Sequence, residues 1–463
     1  MKPLLFLLIF ATLLTGCKVG PDYQRPAVAT PSDWRWKTAE PKDHVPRGEW
    51  WQVFGDTNLH ALEQQAVADN LDLKAAYARV EQARANARIS RADFYPALQG
   101  QAAFQRYRTS GNSPSPVPFP VPSFTQEQWS VPFDLSYEID LWGRVRRSFE
   151  SARYLAFGAE AARQSVLLSL QADVAANYFT LYSLHRTIEL LEQTIQLRKQ
   201  ALQIFEQRLE AGLATEFEVQ RGRVEVAAAD ADLQSARRRQ AETINALALL
   251  CGQAPAGFDF AVAREEPKLP AIAPDLPSSL LERRPDVAQA ERELASQMAQ
   301  IGVAKAAFFP SVRLTASGGL LSGDLADLFK WDSRTWSLAP TISVPIFEGG
   351  RNKANFERAK AAYEESVAQY RQRVLVAFKE VEDNLAALRY LDDEAEARRQ
   401  AAEAATQATR LSTERYRAGS INFLEVVDSE NARLLNELAH IRAVNDQRIA
   451  TVRLIKALGG GWE

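Results

Sequence analysis

Reactive side chains are scarce in this chain. Its 463 residues hold two cysteines, four histidines and two methionines. Cys17 lies near the start and Cys251 in the middle, so no internal disulfide framework is available. His44, His60, His185 and His440 are scattered without metal-ligand spacing. No nucleophile–base pair, phosphate loop or Cys/His cluster occurs, so neither an enzyme nor a bound cofactor is indicated. A net charge of −3 excludes a broad basic surface for nucleic acid. Beyond the first residues no long apolar run exists, which excludes a bundle of membrane-spanning helices.

The one apolar run reads as a signal. Lys2 supplies positive charge, Leu4–Leu14 are mostly apolar, and Leu14-Thr15-Gly16-Cys17 follows. Such a run is too short to span a bilayer but suits a signal peptide over residues 1–16. The tetrapeptide resembles a bacterial lipobox, which implies a lipid on Cys17. Acyl chains on that residue anchor the protein stably. Lys18 rather than Asp after the cysteine favours the outer membrane. Residues 17–56 are rich in proline and tryptophan, with Trp34, Trp36, Trp50 and Trp51. They read as an extended arm whose tryptophans pack on the body, since exposing four of them in a linker is costly.

What the chain does contain is a duplication. Trp129–Gly252 falls on Trp336–Gly459 at one constant spacing of 207. Each copy reads as an alternating segment, a very long helix, a tight turn and a returning helix. Upstream, Asp56-Thr57-Asn58 opens a helix running to about Asp93 and stopped by Phe94-Tyr95-Pro96. Its duplicate runs from Pro285-Asp286 to Phe308-Phe309-Pro310 at a spacing of 214. The difference of seven places an insertion in the proline-rich loop around Ser113–Ser123. The first repeat therefore covers 57–252 and the second 278–459. A proline-rich linker, 253–277, joins them, and 460–463 form a tail.

Period-two alternation marks strands with one apolar and one polar face. Residues 127–141 carry Trp129, Val131, Phe133, Leu135, Tyr137, Ile139 and Leu141 on one side. On the other lie Ser130, Asp134, Ser136, Glu138 and Asp140. Weaker alternation covers about 98–108, 312–321 and 335–347. Lengths near ten residues suit transmembrane barrel strands with a wet lumen. Four strands cannot close a barrel in lipid, so several copies must share one.

In the long helix Val174, Leu181, Ile188, Ile195, Leu202 and Leu209 recur every seven residues, with Leu184, Leu191 and Phe205 between them. That is a coiled-coil seam with left-handed supercoiling. The second copy is softer, with Val381, Leu388, Ala395, Ala402, Thr409 and Tyr416. A helix over Ser148–Ala211 is roughly 95 Å long, and two shorter helices per repeat, stacked end to end, match it. Gly212 and Gly419 suit the tip turns, since glycine takes the left-handed helix-ending conformation without strain.

Several motifs resemble the TolC-like outer membrane factors, in particular the NodT-type efflux lipoproteins. They are Cys17 with Val19-Gly20-Pro21-Asp22-Tyr23, Glu138-Ile139-Asp140-Leu141-Trp142-Gly143-Arg144, Leu281-Glu282-Arg283-Arg284-Pro285-Asp286, Pro345-Ile346-Phe347-Glu348-Gly349-Gly350-Arg351, and Tyr416-Arg417-Ala418-Gly419 with Glu425-Val426-Val427-Asp428. The resemblance spans nearly the whole mature chain. It implies a mainly α-helical fold with a β-barrel part. A homotrimer shares one twelve-stranded outer-membrane barrel, continuous with a periplasmic helical tunnel. It also implies a role as the exit duct of a tripartite pump, docked to a periplasmic adaptor and an inner-membrane transporter, with no nucleic acid involved. A polypeptide-secretion duct and a pore-free coiled-coil tether are the alternatives.

In that family acidic residues after the tip turn ring the periplasmic entrance, and Glu425 and Asp428 match them. Asn422 to Glu425 and Thr215 to Glu218 are also capping-box spacings, so both glutamates have a plain capping reading. Asp428 has none. Where some relatives carry a basic residue two positions after the turn glycine, this chain has Ile421. The resemblance therefore leaves Tyr416 and Glu218 as hydrogen-bonding partners and an apolar closing contact through Ile421 and Phe423.

Overall fold

The computed structural model describes residues 18–35, 49–112, 123–260, 266–270 and 283–460. The signal segment, Cys17 with its expected lipid, Trp36 and the loop 113–122 lie outside these residues. In chain order the main elements are α1 Thr57–Asp69, α2 Leu71–Ala92, β1 Ala97–Gly100, β2 Ala103–Arg108, β3 Thr125–Ile139, α3 Arg144–Glu210 and α4 Glu216–Leu250. Then come α5 Pro285–Ala306, β4 Ser311–Ser322, β5 Arg334–Ser343, α6 Arg351–Arg417 and α7 Phe423–Ala457. Both long helices, α3 and α6, have 67 residues, and both return helices, α4 and α7, have 35. No helix among the described residues is long and apolar enough to cross a membrane.

The chain forms two compact units. One comprises Met1–Pro26, Val80–Ala159 and Ala290–Tyr370, and the other Ala27–Arg79, Glu160–Gln289 and Arg371–Glu463.

The first unit holds the sheet, antiparallel throughout in the order β1-β3-β4-β5 with β2 also on β3. The strand expected over about 98–108 is split into β1 and β2, which keep one register against β3. Pro132 of β3 explains the gap. Its carbonyl accepts from Gln101 N–H at 3.1 Å, but it has no N–H to return the bond. The strand expected over 127–141 is β3, which starts earlier and stops at Ile139. That expected over 335–347 stops at Ser343, just short of Pro345, and leaves Ile346 and Phe347 fully open.

The junction from β3 to α3 accounts for its motif. The Arg144 guanidinium grips Glu138 at 2.7 and 2.9 Å. Asp140 accepts from the backbone N–H groups of Val145 (3.1 Å) and Arg146 (3.0 Å), which caps α3. Gly143 turns the chain at φ 80°. Trp142 stacks on Phe309 and donates to the Pro310 carbonyl at 2.7 Å. The start of the arm lies against this corner, with Val19 N–H donating to the Trp142 carbonyl at 3.1 Å. Buried Arg147 holds the carbonyls of Val19 and Gly20 and the carboxylates of Asp22 and Glu150.

In the second unit the helical core is built on the seam. Val174 and Leu181 are fully buried, and Ile188, Leu191, Ile195 and Phe205 nearly so. Trp50, Trp51 and Phe54 of a short 3-10 turn join Leu59, Leu62, Tyr178, Phe179 and Cys251 in one cluster, which Phe258 and Phe260 flank. Cys251 is a buried free thiol whose pKa burial raises to about 11. Trp34 is buried beside Phe378. The second seam is less apolar, and hydrogen bonds supplement it: Thr409 donates to the Ser429 carbonyl at 2.8 Å.

The single helix expected from Thr57 to about Asp93 is broken at Asn70, between α1 and α2. Asn70 accepts from Leu73 N–H at 2.8 Å and donates to the Leu250 carbonyl at 2.9 Å. It thereby caps the start of α2 and satisfies the end of α4, so these helices meet end to end. Arg284, just before α5, reaches the end of α7 by donating to the Ala457 carbonyl at 3.0 Å.

Candidate functional site

The tip is built from two helix ends. Gly212 and Gly419 sit at φ 72° and 71°, with nothing near the place a Cβ would occupy. Leu213 N–H donates to the Arg208 carbonyl and Gly212 N–H to that of Leu209, at 2.8 and 2.9 Å. Ser420 and Gly419 repeat this on Arg415 and Tyr416, both at 2.9 Å. Both turns are therefore Schellman motifs, in which the left-handed glycine lets the chain reverse and satisfies the last carbonyls.

Past the turns the repeats diverge. Thr215 and Glu218 form a complete capping box: Thr215 N–H donates to the Glu218 carboxylate at 2.7 Å, and Glu218 N–H to the Thr215 hydroxyl at 3.4 Å. Asn422 accepts from Glu425 N–H at 3.2 Å, but the Glu425 carboxylate makes no return bond and stays exposed. Asp428, 67 % exposed, lies 3.8 Å from the Arg221 guanidinium. Arg221 also reaches Glu225 at 3.7 Å.

Contacts between the hairpins cluster here. Arg208 donates to the Tyr416 hydroxyl at 2.8 Å, and Phe423 packs between Phe205 (4.1 Å) and Tyr416 (5.5 Å). Deeper in, Arg198 donates to the Glu225 carbonyl at 2.7 Å and to the Asn431 side chain, joining α3, α4 and α7. Burial pushes the neighbouring Glu430 carboxyl up, against the pull of Arg198 and Arg433.

In the other unit the sheet register sorts side chains into two faces. Ile139, Val312 and Ile342 share one row, Leu98, Leu135, Ala316 and Leu338 another, and Phe133, Gly318 and Trp336 a third. The opposite face carries Gln99, Asp134, Ser317 and Ser337 in one row, and Glu138, Arg313 and Thr341 in another. Large side chains on the apolar face are exposed, with Leu98 at 68 % and Trp336 at 81 %. A sheet face that is apolar over these rows and unpartnered, opposite a polar one, is the arrangement of a lipid-facing channel wall.

Comparison with known proteins gives the same answer. The outer membrane efflux protein family matches residues 62–253 and 276–460. The chain belongs to this family. Outer membrane protein OprJ of Pseudomonas aeruginosa is 36% identical over 98% of this chain and 95% of its own. The probable efflux pump outer membrane protein TtgC of Pseudomonas putida is 33% identical over 100% and 96%. The crystal structure of the CmeC outer membrane channel of Campylobacter jejuni superposes with a TM-score of 0.90 at 25% identity, over 96% of each chain. As an outer membrane efflux protein, the chain is a transport duct of the outer membrane and not an enzyme.

Within this efflux protein the residues singled out by sequence come together at the tip in unequal roles. Glu218 is spent on capping, Glu425 is free, and Asp428 is ion-paired. Ile421 is half-buried, while Phe423 makes the aromatic contact. Cys17 lies outside the described residues. Sequence reasoning missed Arg198, which joins three helices. The signal was present: Arg198 follows Ile195 by three, the seam position that Leu184, Leu191 and Phe205 fill elsewhere. A charge in a seam marks a specific partner.

Proposed function

We propose that three copies of this chain pool their sheets into one twelve-stranded barrel and their helices into a tunnel. This assembly is the exit duct of a tripartite pump, working with a periplasmic adaptor and an inner-membrane transporter and anchored in addition by a lipid on Cys17. The observation that carries the reading is the sheet. It has one apolar and one polar face, and its outer strands, β1/β2 and β5, have no partner on their far sides among the described residues. Lipid tolerates no open strand edge. Pairing β5 of one copy with β1/β2 of the next removes every edge at once and turns the polar face inward.

The tip is the gate. Three-fold symmetry multiplies Glu425 and Asp428 into acidic rings that favour cations, with Arg221 beside Asp428 moderating the second. Tyr416, Ile421 and Phe423 hold the hairpins together, and Glu218 keeps the first return helix capped. Opening requires the contacts of Arg208 with Tyr416, Arg221 with Asp428 and Arg198 with Asn431 to separate. The efflux-pump name of TtgC favours small exported molecules, such as drugs or toxic compounds, over polypeptides.

Planar-bilayer recording of the purified protein tests this. The expected result is a cation-preferring pore whose conductance rises when Glu425 and Asp428 are both replaced by alanine. Assembled protein that stays silent in both forms overturns the reading.

A further inference from the structure

The connection between β4 and β5 presents more aromatic surface than a water-facing loop holds. Phe329 and Trp331 are each 79 % exposed. The loop is nevertheless firmly built. Asp324 accepts from Ala326 N–H at 2.9 Å, and Ser333 donates to the Asp327 carbonyl at 2.7 Å. Lys330 pairs with Asp327, and Leu328 is buried. A loop that buries one leucine while holding two larger rings outward is shaped for an apolar neighbour.

The register says which neighbour. Val131, Leu320 and Arg334 share a row of the apolar face, next to the row of Phe133, Gly318 and Trp336. Arg334 therefore stands on the same face as Ile342, eight residues up β5. That is about 27 Å along the strand, or roughly 20 Å across the membrane at the usual tilt, which brings Arg334 near the outer edge of an apolar band ~25 Å tall. Here a cation is tolerated, and indole rings are enriched. Arg334 Nε donates to the Trp331 carbonyl at 3.0 Å, which sets its guanidinium beside the Trp331 side chain. Among the described residues it forms no ion pair, whereas Lys330 is occupied by Asp327. A planar cationic fork backed by an exposed indole fits a phosphate that carries acyl chains.

We propose that Trp331 and Arg334 form a lipid-phosphate site whose occupant is lipid A, the phosphorylated saccharolipid of the outward-facing leaflet. The proposal rests on the reading that the apolar face meets lipid. The location selects the leaflet, because this loop lies at the end of the sheet opposite the corner where β3 enters α3. Arg334 takes the phosphate, and Trp331 and Phe329 lie at the boundary between headgroup and acyl chain.

The test uses the full-length protein in phosphatidylcholine vesicles with brominated acyl chains, with and without lipid A. Emission lost on Trp331→Phe isolates that indole, and emission lost on Trp336→Phe isolates one lower on the same face. Both are expected to be quenched by the brominated chains, and Arg334→Ala is expected to lower lipid A retained through purification about tenfold. Arg334→Gln, which keeps the length, should do the same if the alanine variant folds poorly. Trp336 quenched with Trp331 open to aqueous iodide overturns this site and leaves the barrel reading standing. Trp336 unquenched removes both. Unchanged lipid A retention in both Arg334 variants, or equal Arg334-dependent retention of phosphatidylglycerol, overturns the assignment to lipid A.

Discussion

Arg221 and Asp428 occupy the same position in the two repeats, carry opposite charges, and lie 3.8 Å apart. A duplication would have placed like beside like. Here divergence has turned one repeat against the other, at the position of the proposed acidic rings. Both side chains are substantially exposed, at 37 % and 67 %, so the pair contributes about 0.2–1 kcal/mol to stability.

Under the proposed gate, its larger effect is on ions. Asp428→Ala is expected to raise single-channel conductance and weaken cation preference, with little change in melting temperature. Arg221→Ala should move selectivity the other way, because Asp428 then lacks its counter-charge. Reversal potentials under a salt gradient read both. The same selectivity in both variants would place the constriction elsewhere.

Glu218 and Glu425 should separate stability from conduction. Glu218→Ala opens the capping box and is expected to cost about 1 kcal/mol, seen as a lower unfolding midpoint with unaltered selectivity. Glu425→Gln removes a carboxylate with no bond to lose, so the midpoint should hold while cation preference falls. A reversed pattern would exchange their roles.

The clamp on the arm makes a third prediction. Arg147 is 1 % exposed and satisfies two carbonyls and two carboxylates. Arg147→Ala takes the donor from the Val19 and Gly20 carbonyls and leaves Glu150 with Lys18 alone, at a cost of about 1–3 kcal/mol. A Cβ on Gly302 would lie 2.8 Å from the Arg147 side chain, so Gly302→Ala should act in the same direction more weakly. Limited proteolysis checks this: trypsin should cut after Lys18 faster in both variants, and an equally protected arm would count against the clamp.

Glu63 predicts a pH dependence. It is fully buried, with neither carboxylate oxygen hydrogen-bonded, and burial raises its pKa well above 4.5. The unfolded chain ionises this group near pH 4.5 while the folded chain keeps the proton, so it subtracts stability increasingly as pH rises above that value. Glu63→Met should stabilise the protein at pH 7 by about 1–3 kcal/mol, and the gain should shrink as pH falls toward 4. Denaturant titrations at the two pH values measure it. A gain independent of pH would mean Glu63 is ionised in the fold.

The long helices and their turns were readable because periodicity and glycine placement are local properties that the duplication states twice. What escaped was set by distant partners. The break at Asn70 depends on the Leu250 carbonyl waiting for its side chain, and nothing within α1 or α2 announces it. The gap between β1 and β2 is caused by Pro132 on another strand. At the tip, two capping spacings look alike in sequence, yet only the threonine one closes completely. The identities of the gate candidates were plain, but their inequality required geometry.

The matched lengths of α3 and α6 restrict how such a chain can evolve. One residue inserted into either helix turns everything beyond it by about 100° and advances it by ~1.5 Å, which rotates the seam away from its neighbour. Seven residues nearly restore the facing, but only if the returning helix grows equally. Small insertions should therefore be tolerated in the loops and almost nowhere in the helices, and a longer descendant of this protein should differ by whole heptads, added in pairs.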